Sequence, residues 1–538
     1  MKIGPMESLE TDVLIIGSGL AGLRAAIEAA RNDVKTMVIS KSSIEAGSNS
    51  ALAGGGLSTG ISEEEIEEHI GQTVQIGRGL NDRQLLTELS QRGKEAIEFL
   101  TTLGIDLDRK PPYRFSVYKP GQSEKMLGGR ILTGRLTREC FQYSQIRFLP
   151  HFFVYRLIAP EGQASGAVGF DKDGKPCIIH SRAVILATGG GAAVYARNDN
   201  HKRMTGDGYA LALEAGLPLV DMEFVQFYPF GYAEPGLPST LIYPPYPELA
   251  RIVDGEGNDF LRKHGLETNL DKLVITRRDE LTHLVYKASQ TGKVLMDYTH
   301  VPEEAWKAYP LNMFPRQRFA FREKPFRIAP ITHFFMGGVQ IKPSGVTRMK
   351  GLFAAGEITG GLHGANRMGG NALAECLVFG ANSGLAASSF ARGRALKKVH
   401  FDLRKWFASL IRGKSDPRCS SELRSLRRRI QDIAWKFAGP IRDEGGLNRA
   451  LSLLQETRSD LQGLRVSTSR ELIQKKEIEN SLLVTQAIVV SSLARKESRG
   501  AFRREDFPME GGKEFLRRVC VKLRKTDQEF TVSWIDRR

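Results

Sequence analysis

The sequence predicts an α/β protein with a parallel sheet, an inserted second domain and a helical C-terminal region. Three apolar runs, at 13–17, 184–190 and 351–357, end in glycines and other small residues. Such runs indicate parallel strands of one sheet whose ends meet the same ligand. Residues 228–330 are instead rich in Pro, Tyr and Phe, and residues 396–499 are charged and helical in pattern.

The first apolar run continues into a glycine-rich turn that reads G-S-G-L-A-G over residues 17–22 and then into a helical pattern. This order of strand, turn and helix is typical of dinucleotide-binding domains. Gly17 permits the turn, Gly19 lets backbone approach a pyrophosphate, and Gly22 lets helix and strand pack closely. The helix N-terminus then attracts the phosphate charge. The motif therefore predicts a Rossmann-like domain.

Length and composition exclude several classes of protein. The chain has 538 residues, of which 41% are hydrophobic, which is enough for several domains. Because no apolar run approaches the roughly 20 residues that span a bilayer, and residues 1–11 lack a signal-peptide core, we expect a cytoplasmic protein. The five cysteines show no metal-ligand spacing. We expect reduced, buried thiols, no metal site, and no iron–sulfur cluster in this chain.

The net charge of +16 is concentrated near the C-terminus, where residues 394–538 carry 33 Lys and Arg against 19 Asp and Glu. A basic face can bind nucleic acid, an anionic membrane or an acidic protein, or it can simply be a solvated helical surface. Because no nucleic-acid-binding signature occurs in the sequence, we expect no nucleic-acid partner.

The order of the patterns predicts a discontinuous nucleotide-binding domain. We place its two parts at 1–230 and 333–395, with an α+β capping domain at 231–332 between them. A helical domain at 396–505 and a C-terminal tail at 506–538 follow. We expect the ligand site between the nucleotide-binding domain and the cap, because domain interfaces favour clefts.

Longer motifs resemble those of one flavoprotein family. Residues 363–373 read HGANRMGGNAL, and the segments TGDG, DMEFVQF, THFFMGG and ESRG begin at 205, 221, 332 and 497. In this order they resemble the fumarate reductase, succinate dehydrogenase and L-aspartate oxidase flavoproteins. The resemblance implies FAD as cofactor, with the cap and the helical C-terminal domain as family features. It also implies hydride transfer between flavin N5 and a carbon beside a carboxylate.

The resemblance also implies which residues contact FAD. The second strand ends in Ser40 and Lys41, where many Rossmann proteins have an acid for the ribose, and this makes a plain NAD enzyme less favoured. Glu357 would bond the ribityl chain. The predicted cofactor-binding residues are Gly17, Gly19, Leu20, Ala21, Gly22, Ser40, Lys41, Ser48, Asn49, Gly55, Gly56, Ala187, Thr188, Gly189, Asp207, Gly356, Glu357, Asn371, Ala372 and Leu373.

Three cationic side chains match the family's catalytic positions. Arg367 offers a planar fork for a carboxylate, and His333 would bind the same or the other carboxylate of the substrate. Arg278 matches the family's proton-shuttling arginine, with Arg277 as the neighbouring alternative. Because the pKa of arginine lies above about 12, Arg278 can relay a proton only if a nearby carboxylate recharges it. Each of these residues also has a purely structural interpretation: an ion pair for Arg367, a buried core position for His333, and an exposed helix start for Arg278.

The sequence departs from the family pattern at the flavin. Where succinate dehydrogenases and quinol-linked fumarate reductases carry a flavin-linked histidine in Ser-His-Thr, this chain has Ser48-Asn49-Ser50. Because Asn49 cannot form that bond, we predict non-covalent FAD. The resemblance implies that the missing link lowers the flavin potential, which disfavours a succinate dehydrogenase.

A second departure concerns the substrate. The family's Gln-Phe-His-Pro-Thr reads Gln-Phe-Tyr-Pro-Phe at 226–230, so Tyr228 replaces a substrate-binding histidine. The family's Thr-Glu and Arg-Gly-Glu-Gly elements are replaced by LIYPPYPE at 241–248. Losing a buried charge-assisted hydrogen bond costs roughly 1.5–3 kcal/mol, so fumarate is expected to bind poorly. A bulkier acid with one carboxylate is expected instead, unless Tyr228 substitutes as a hydroxyl donor.

These patterns together predict a FAD-dependent oxidoreductase acting on CH–CH groups. It would be the flavoprotein subunit of a fumarate reductase-like or succinate dehydrogenase-like enzyme, reducing fumarate or a bulkier unsaturated acid. Electrons would come from an iron–sulfur subunit on the basic C-terminal face, and attachment to the inner face of the cell membrane would occur only through partners. The alternatives are an L-aspartate oxidase, which keeps the histidine missing at Tyr228, and a non-catalytic flavin-binding relay subunit.

Overall fold

A computed structural model describes residues 7–117, 127–314, 318–411, 417–524 and 526–537. Its strands are β1 (Glu7–Ile16), β2 (Thr36–Ser40), β3 (Gly56–Ser58), β4 (Asp108–Lys110), β5 (Arg114–Ser116), β6 (Ile146–Pro150), β7 (Phe153–Ile158), β8 (Gly166–Phe170), β9 (Pro176–Leu186), β10 (Leu219–Val220), β11 (Val225–Tyr232), β12 (Arg251–Asp254), β13 (Val294–Asp297), β14 (Phe326–Phe335), β15 (Gly338–Gln340), β16 (Leu352–Ala354), β17 (Thr359–Gly360), β18 (Arg517–Leu523) and β19 (Phe530–Asp536).

Its helices are α1 (Leu20–Arg31), α2 (Asn49–Leu52), α3 (Glu63–Ile76), α4 (Arg83–Gln91), α5 (Gly93–Thr102), α6 (Gly128–Cys140), α7 (Asp207–Ala215), α8 (Phe260–Lys263), α9 (Leu270–Thr276), α10 (Arg278–Ser289), α11 (Arg318–Glu323), α12 (Asn371–Ala391), α13 (Leu403–Leu410), α14 (Cys419–Phe437), α15 (Glu444–Gly463) and α16 (Ser469–Ala494). The predicted α/β class with a helical C-terminal region is confirmed.

A seven-stranded sheet forms the scaffold of the site. Strands β6, β2, β1 and β9 are parallel neighbours, and β16 is parallel to the last part of β9, whose first part pairs antiparallel with β8. Leu186 at the end of β9 pairs with both Ile16 and Ala354. The three apolar runs are therefore parallel strands that end at the same sheet edge, as predicted.

Two glycines make the turn between β1 and α1 possible. Gly17 has φ +118°, and a Cβ there would lie 2.0 Å from the carbonyl oxygen of Ala187. A Cβ on Gly22 would lie 2.0 Å from the carbonyl oxygen of Gly17. A side chain at either position would force the helix away from the sheet, so the turn depends on glycine.

The inserted segment has an apolar core of its own. A four-stranded sheet ordered β11-β14-β13-β12 carries buried side chains from Tyr228 to Ile331. Strands β11 and β14, which are the first and last of these strands along the chain, pair with each other, with Val225 opposite Phe335 and Tyr232 opposite Ile328. The chain thus leaves and re-enters the nucleotide-binding part through adjacent strands, which holds the insert over the sheet edge.

The C-terminal region packs back on the rest of the molecule. Helices α14, α15 and α16 pack against one another. Residues 506–538, for which the sequence predicted only a tail, contain β18 and β19, and β18 pairs antiparallel with β10 in a five-stranded sheet. The alternation of apolar and polar residues over the seven residues of β18 is a weak signal for a strand, and the partner strand β10 lies about 300 residues earlier in the sequence.

Part of the C-terminal positive charge is internal. Arg495, Arg504 and Arg518 are fully buried, and each lies within ion-pair distance of a carboxylate. Arg495 and Arg518 bind the C-terminal region to the nucleotide-binding part and Arg504 pairs within the C-terminal region, so these three do not form a basic surface. Among the described residues, no helix has the length and apolarity to cross a bilayer.

Candidate functional site

A cavity of about 890 Å³ lies between the sheet edge and the insert. The ends of β1, β2, β9 and β16 form one side of it, and residues from 228, 241–245 and 271–278 form the other. All the predicted site residues line this cavity except Gly22 and Asn371. The cavity thus joins the segments that the sequence motifs had singled out.

The sheet side of the cavity is built from backbone and small side chains. Gly19 is the N-cap of α1, where free N–H groups attract an anion. The φ of Gly189 is +72° and that of Gly356 is +79°, so both turns adopt conformations that favour glycine. A cavity wall without bulky side chains, with a helix N-terminus pointing into it, fits the pyrophosphate of a dinucleotide such as FAD.

Two polar residues at the nucleotide end are already engaged with protein groups. Lys41 pairs with Asp207 and with Glu477, whose Oε1 lies 3.2 Å from Nζ, and it donates a hydrogen bond to Thr205 Oγ1 at 2.8 Å. Asp207 also accepts a hydrogen bond from Asn480 at 2.8 Å. This network ties β2 to α7 and α16 beside the cavity.

Glu357 is buried in the middle of the cavity wall. Its carboxylate accepts hydrogen bonds from Phe335 N–H at 3.2 Å and from Asn49 Nδ2 at 3.5 Å. Burial raises the pKa of Glu357 to about 7. Asn49 Oδ1 accepts from His201 N–H at 2.9 Å and Nδ2 also donates to Asn200, so its side chain bridges two loops.

Gly22 and Asn371 act within the protein. Gly22 packs against Gly17 as described above. The side chain of Asn371 lies in a buried network, with Oδ1 2.9 Å from His69 Nε2 and Nδ2 donating to Thr73 Oγ1 at 3.2 Å. Its side chain supports the N-terminus of α12, while its neighbours Ala372 and Leu373 line the cavity.

Arg367 is buried at the cap side of the cavity. Its Nη2 donates to Gln226 Oε1 at 2.9 Å, its Nη1 donates to Met368 O at 3.3 Å, and its guanidinium lies 4.4 Å from the centre of the Phe334 ring. Its Nε has no hydrogen-bond partner among the described residues. Burial, and then the nearby Arg278, lower the pKa of Arg367 to about 10.

Arg278 begins α10 and reaches the same space. Its Nε donates to Val274 O at 3.1 Å, and its Nη1 donates to Arg367 O at 3.5 Å. In the described part of the chain, no carboxylate lies within 4.0 Å of the nitrogens of either arginine. Arg277, the alternative proton shuttle, is exposed and bonds Glu280 through two nitrogens, each at 2.6 Å.

Sequence reasoning did not identify the acid beside Arg278. Asp279 accepts a hydrogen bond from Asn366 Nδ2 at 2.8 Å. Burial raises the pKa of Asp279 to about 6, although Arg278 opposes this shift. The only signal in the sequence was adjacency to Arg278, which does not determine where a helical side chain points.

His333 and Tyr228 complete the cap side of the cavity. His333 Nδ1 lies 2.6 Å from Asp199 Oδ2, so this carboxylate orients the ring and leaves Nε2 for a ligand. The Tyr228 ring centre lies 5.7 Å from both the His333 ring and the Arg278 guanidinium. The structure therefore brings together all four predicted catalytic and substrate-binding residues, which lie 139 positions apart at most.

Comparison with known proteins identifies the family. Residues 12–373 match the FAD binding domain family, and residues 427–537 match the fumarate reductase flavoprotein C-terminal family. The chain belongs to the fumarate reductase flavoprotein family. It is therefore a FAD-binding oxidoreductase of the class that acts on CH–CH groups.

Relatives of this flavoprotein cover nearly its whole length. One component of the CoM/CoB fumarate reductase of Methanothermobacter marburgensis is 30% identical over 97% of this chain and 99% of that protein. The L-aspartate oxidase of a Nostoc species is 30% identical over 92% of this chain and 91% of that protein. The FrdA chain of E. coli quinol fumarate reductase, 26% identical, superposes with a TM-score of 0.87 over 99% of this chain and 97% of that one.

Proposed function

We propose that this flavoprotein reduces a carbon–carbon double bond beside a carboxylate, as the flavin subunit of a larger complex. The observation that carries the proposal is the pair formed by Arg278 and Arg367. Both guanidinium groups face one cavity, and among the described residues neither has a carboxylate partner. Because Arg367 is buried and a buried cation is costly without an anion beside it, this arrangement favours an anionic substrate.

Each cationic side chain has a separate task in this proposal. Arg367, held by Gln226 and Phe334, binds the substrate carboxylate through its free Nε and an adjacent Nη. His333, oriented by Asp199, contributes Nε2 to the same site. These contacts place positive charge where the reduced alkene builds up negative charge.

The hydride for one alkene carbon would come from bound FAD. Arg278 gives a proton to the other carbon, so that the double bond gains one hydride and one proton and becomes a single bond. Asp279 follows Arg278 directly and has a pKa near neutrality, which suits a group that returns a proton to Arg278. Cap residues line the side of the cavity opposite the sheet edge, and in this proposal they limit the access of water to these groups.

The cofactor is proposed to be held without a covalent bond. Asn49 stands at the position that resembles the flavin-linked histidine, and its amide bridges two loops. Electrons for reduction would come from an iron–sulfur subunit, with attachment to a membrane only through partners. The exposed part of the basic C-terminal surface is the proposed docking face, since Arg424 and Arg428 of α14 are exposed.

L-aspartate oxidase is the second candidate, because a protein of that name is 30% identical over 92% of this chain. Against it stands Tyr228, which replaces the family's substrate histidine with an aromatic side chain. A non-catalytic relay subunit is the third candidate. The convergence of Arg278, His333 and Arg367 opposes it, because a relay subunit has no need of an anion site.

Reoxidation of the dithionite-reduced protein tests these alternatives. Under anaerobic conditions, fumarate or a larger unsaturated acid should restore the oxidised flavin spectrum. If only oxygen reoxidises the flavin and L-aspartate drives peroxide formation, the protein is an aspartate oxidase. If no acid and no aspartate reacts, while the complex still transfers electrons, the relay function is correct.

A further inference from the structure

On the cap side of the cavity, the tyrosine hydroxyl groups near Arg278 and His333 already donate their protons to hydrogen bonds within the protein. Tyr246 Oη lies 3.0 Å from the carbonyl oxygen of Ile242, and Tyr228 Oη lies 2.9 Å from Tyr246 Oη. A carbonyl can only accept, so the single proton of Tyr246 goes to Ile242. Tyr228 must then donate its own single proton to Tyr246. Toward the cavity, Tyr228 can only accept a hydrogen bond.

The hydroxyl proton of a second tyrosine in the cavity wall is also used in a hydrogen bond within the protein. Tyr243 donates its proton to the carbonyl oxygen of Leu52 at 3.0 Å. Burial raises the pKa of Tyr228 to about 12 and that of Tyr243 well above its usual value. Both phenols therefore keep their protons at neutral pH, and neither proton is available to a ligand.

Apart from the cations that already have a task and Tyr309, the groups that the cap contributes are unsuited to a carboxylate. They are mostly apolar and include Leu241, Pro244, Pro245, Val274 and Ile275. The Asp271 carboxylate also lines the cavity and accepts the Tyr246 N–H at 3.1 Å. A second substrate carboxylate here would meet lone pairs, apolar groups and a like charge, and none of these compensates for its lost hydration.

Donors for one carboxylate lie beside this wall. Arg367 Nε has no hydrogen-bond partner among the described residues, and the contact of His333 Nδ1 with Asp199 leaves Nε2 for a ligand. Arg367 can bind one carboxylate bidentately through Nε and an adjacent Nη, while Arg278 is kept for the proton transfer. Two further cations, Lys110 and Arg114, line the cavity from β4 and β5, where Lys110 is exposed.

Resting on the proposed function, we infer that the substrate is an unsaturated monocarboxylic acid. Its carboxylate binds Arg367 and His333, and the far end of its double bond carries a neutral, apolar group against the wall formed by Tyr228 and Tyr243. A short dicarboxylate such as fumarate is therefore a poor substrate. The direction of the Tyr228 proton also answers the question that the sequence left open, because Tyr228 does not replace the missing histidine as a donor.

Fumarate and its monomethyl ester are a matched pair of probes, because both have an activated double bond and they differ in one charge. We expect kcat/KM for the ester to exceed that for fumarate by about tenfold or more, the usual effect of one charge-assisted hydrogen bond. Muconate and monomethyl muconate extend the test to a longer acid, and the monoester should again be preferred.

Tyr246→Phe tests the mechanism of this preference. Tyr246 does not line the cavity, and its loss as an acceptor frees the Tyr228 proton to point at the ligand. The ratio of kcat/KM for fumarate to that for the ester should rise about tenfold. Tyr232→Phe is the control, because Tyr232 is another buried cap tyrosine that neither lines the cavity nor hydrogen-bonds to Tyr228 or Tyr246. This variant should leave the ratio unchanged. Flavin content and thermal melting confirm that both variants fold.

The outcomes separate the two proposals. If either diacid is the better substrate of its pair, the monocarboxylate inference is wrong while the proposed reduction stands. An unchanged ratio in Tyr246→Phe also overturns the inference, because the committed proton then plays no part in selectivity. If neither ester nor diacid reoxidises the reduced flavin, the proposed function itself fails.

Discussion

Arginines in two regions of this flavoprotein have different partners. In the C-terminal region, Arg495 Nε lies 2.6 Å from Glu223, and Arg518 Nη1 lies 3.2 Å from Asp82. In the cavity, Arg367 and Arg278 bind amide and carbonyl oxygens only, as far as the described residues show. Arg495 and Arg518 have their anions within the fold, whereas the two cavity arginines face a space in which a ligand can supply one.

The electrostatic consequences differ accordingly. Burial lowers the pKa of Arg495, but Glu223 and Glu497 more than offset this and leave the pKa raised. At Arg367, burial is reinforced by the positive charge of Arg278, and the pKa falls to about 10. Two arginines that line a cavity without carboxylate partners therefore indicate a binding site, whereas a buried arginine with carboxylate partners indicates a structural joint.

The largest expected effect comes from the cavity. Arg278→Ala should lower kcat by about 100-fold or more, because it removes a general acid, while FAD content stays the same. Stopped-flow reoxidation of the reduced flavin by the best unsaturated acid measures the rate. Arg277→Ala is the matched control, since Arg277 pairs with Glu280 on the surface. Equal losses in both variants would contradict the assignment of Arg278.

The next effect comes from the C-terminal joint. Arg495→Met should lower the free energy of unfolding by about 3–5 kcal/mol, because Glu223 would be left buried without its ion-pair partner, whereas Glu497 keeps Arg499. Arg429→Met, which breaks partly exposed pairs with Glu456 and Asp460, should cost about 0–1 kcal/mol. Urea unfolding of both variants measures the difference. Similar losses would show that the buried joint is not the stronger one.

A smaller effect concerns the carboxylate of Glu357, which lies in the cavity without pairing to Arg367. Its pKa of about 7 lies above the unfolded value of 4.5, so its contribution to stability is present below about pH 4.5 and is lost as pH rises through about 7. In the FAD-free protein, Glu357→Gln should remove this loss, which amounts to about 1–3 kcal/mol.

Thermal melting of the FAD-free wild type and of Glu357→Gln between pH 4.5 and 8 measures that difference. The variant should gain in relative stability as pH rises through this window. Parallel pH profiles for the two proteins would show that the Glu357 carboxyl group titrates normally.

The smallest expected effect concerns how FAD is attached to the protein. Acid precipitation should release all the FAD into the supernatant and leave a protein pellet without flavin fluorescence, because Asn49 offers no nucleophile for a covalent bond. Absorbance of the supernatant against total flavin measures the released fraction. Flavin retained in the pellet would contradict non-covalent binding.

Local signals determined the nucleotide end of this site. The spacing of Gly17, Gly19 and Gly22 predicted a turn whose atoms all lie within one strand–turn–helix unit, and the structure forms it. The apolar runs at 184–190 and 351–357 likewise predicted adjacent strands, because buried parallel strands need continuous apolar sequence. Backbone geometry of this kind depends on neighbours in the sequence.

Only the tertiary structure decided the cap side. The family resemblance favoured Arg278 over Arg277, but only the structure shows that Arg278 lines the cavity while Arg277 is exposed, and that Tyr246 accepts the proton of Tyr228. The sequence predicted a tail that includes residues 517–523, but these residues form β18, whose partner strand β10 lies about 300 positions earlier. Pairings between distant segments depend on how whole elements pack, whereas a sequence motif records only short-range constraints.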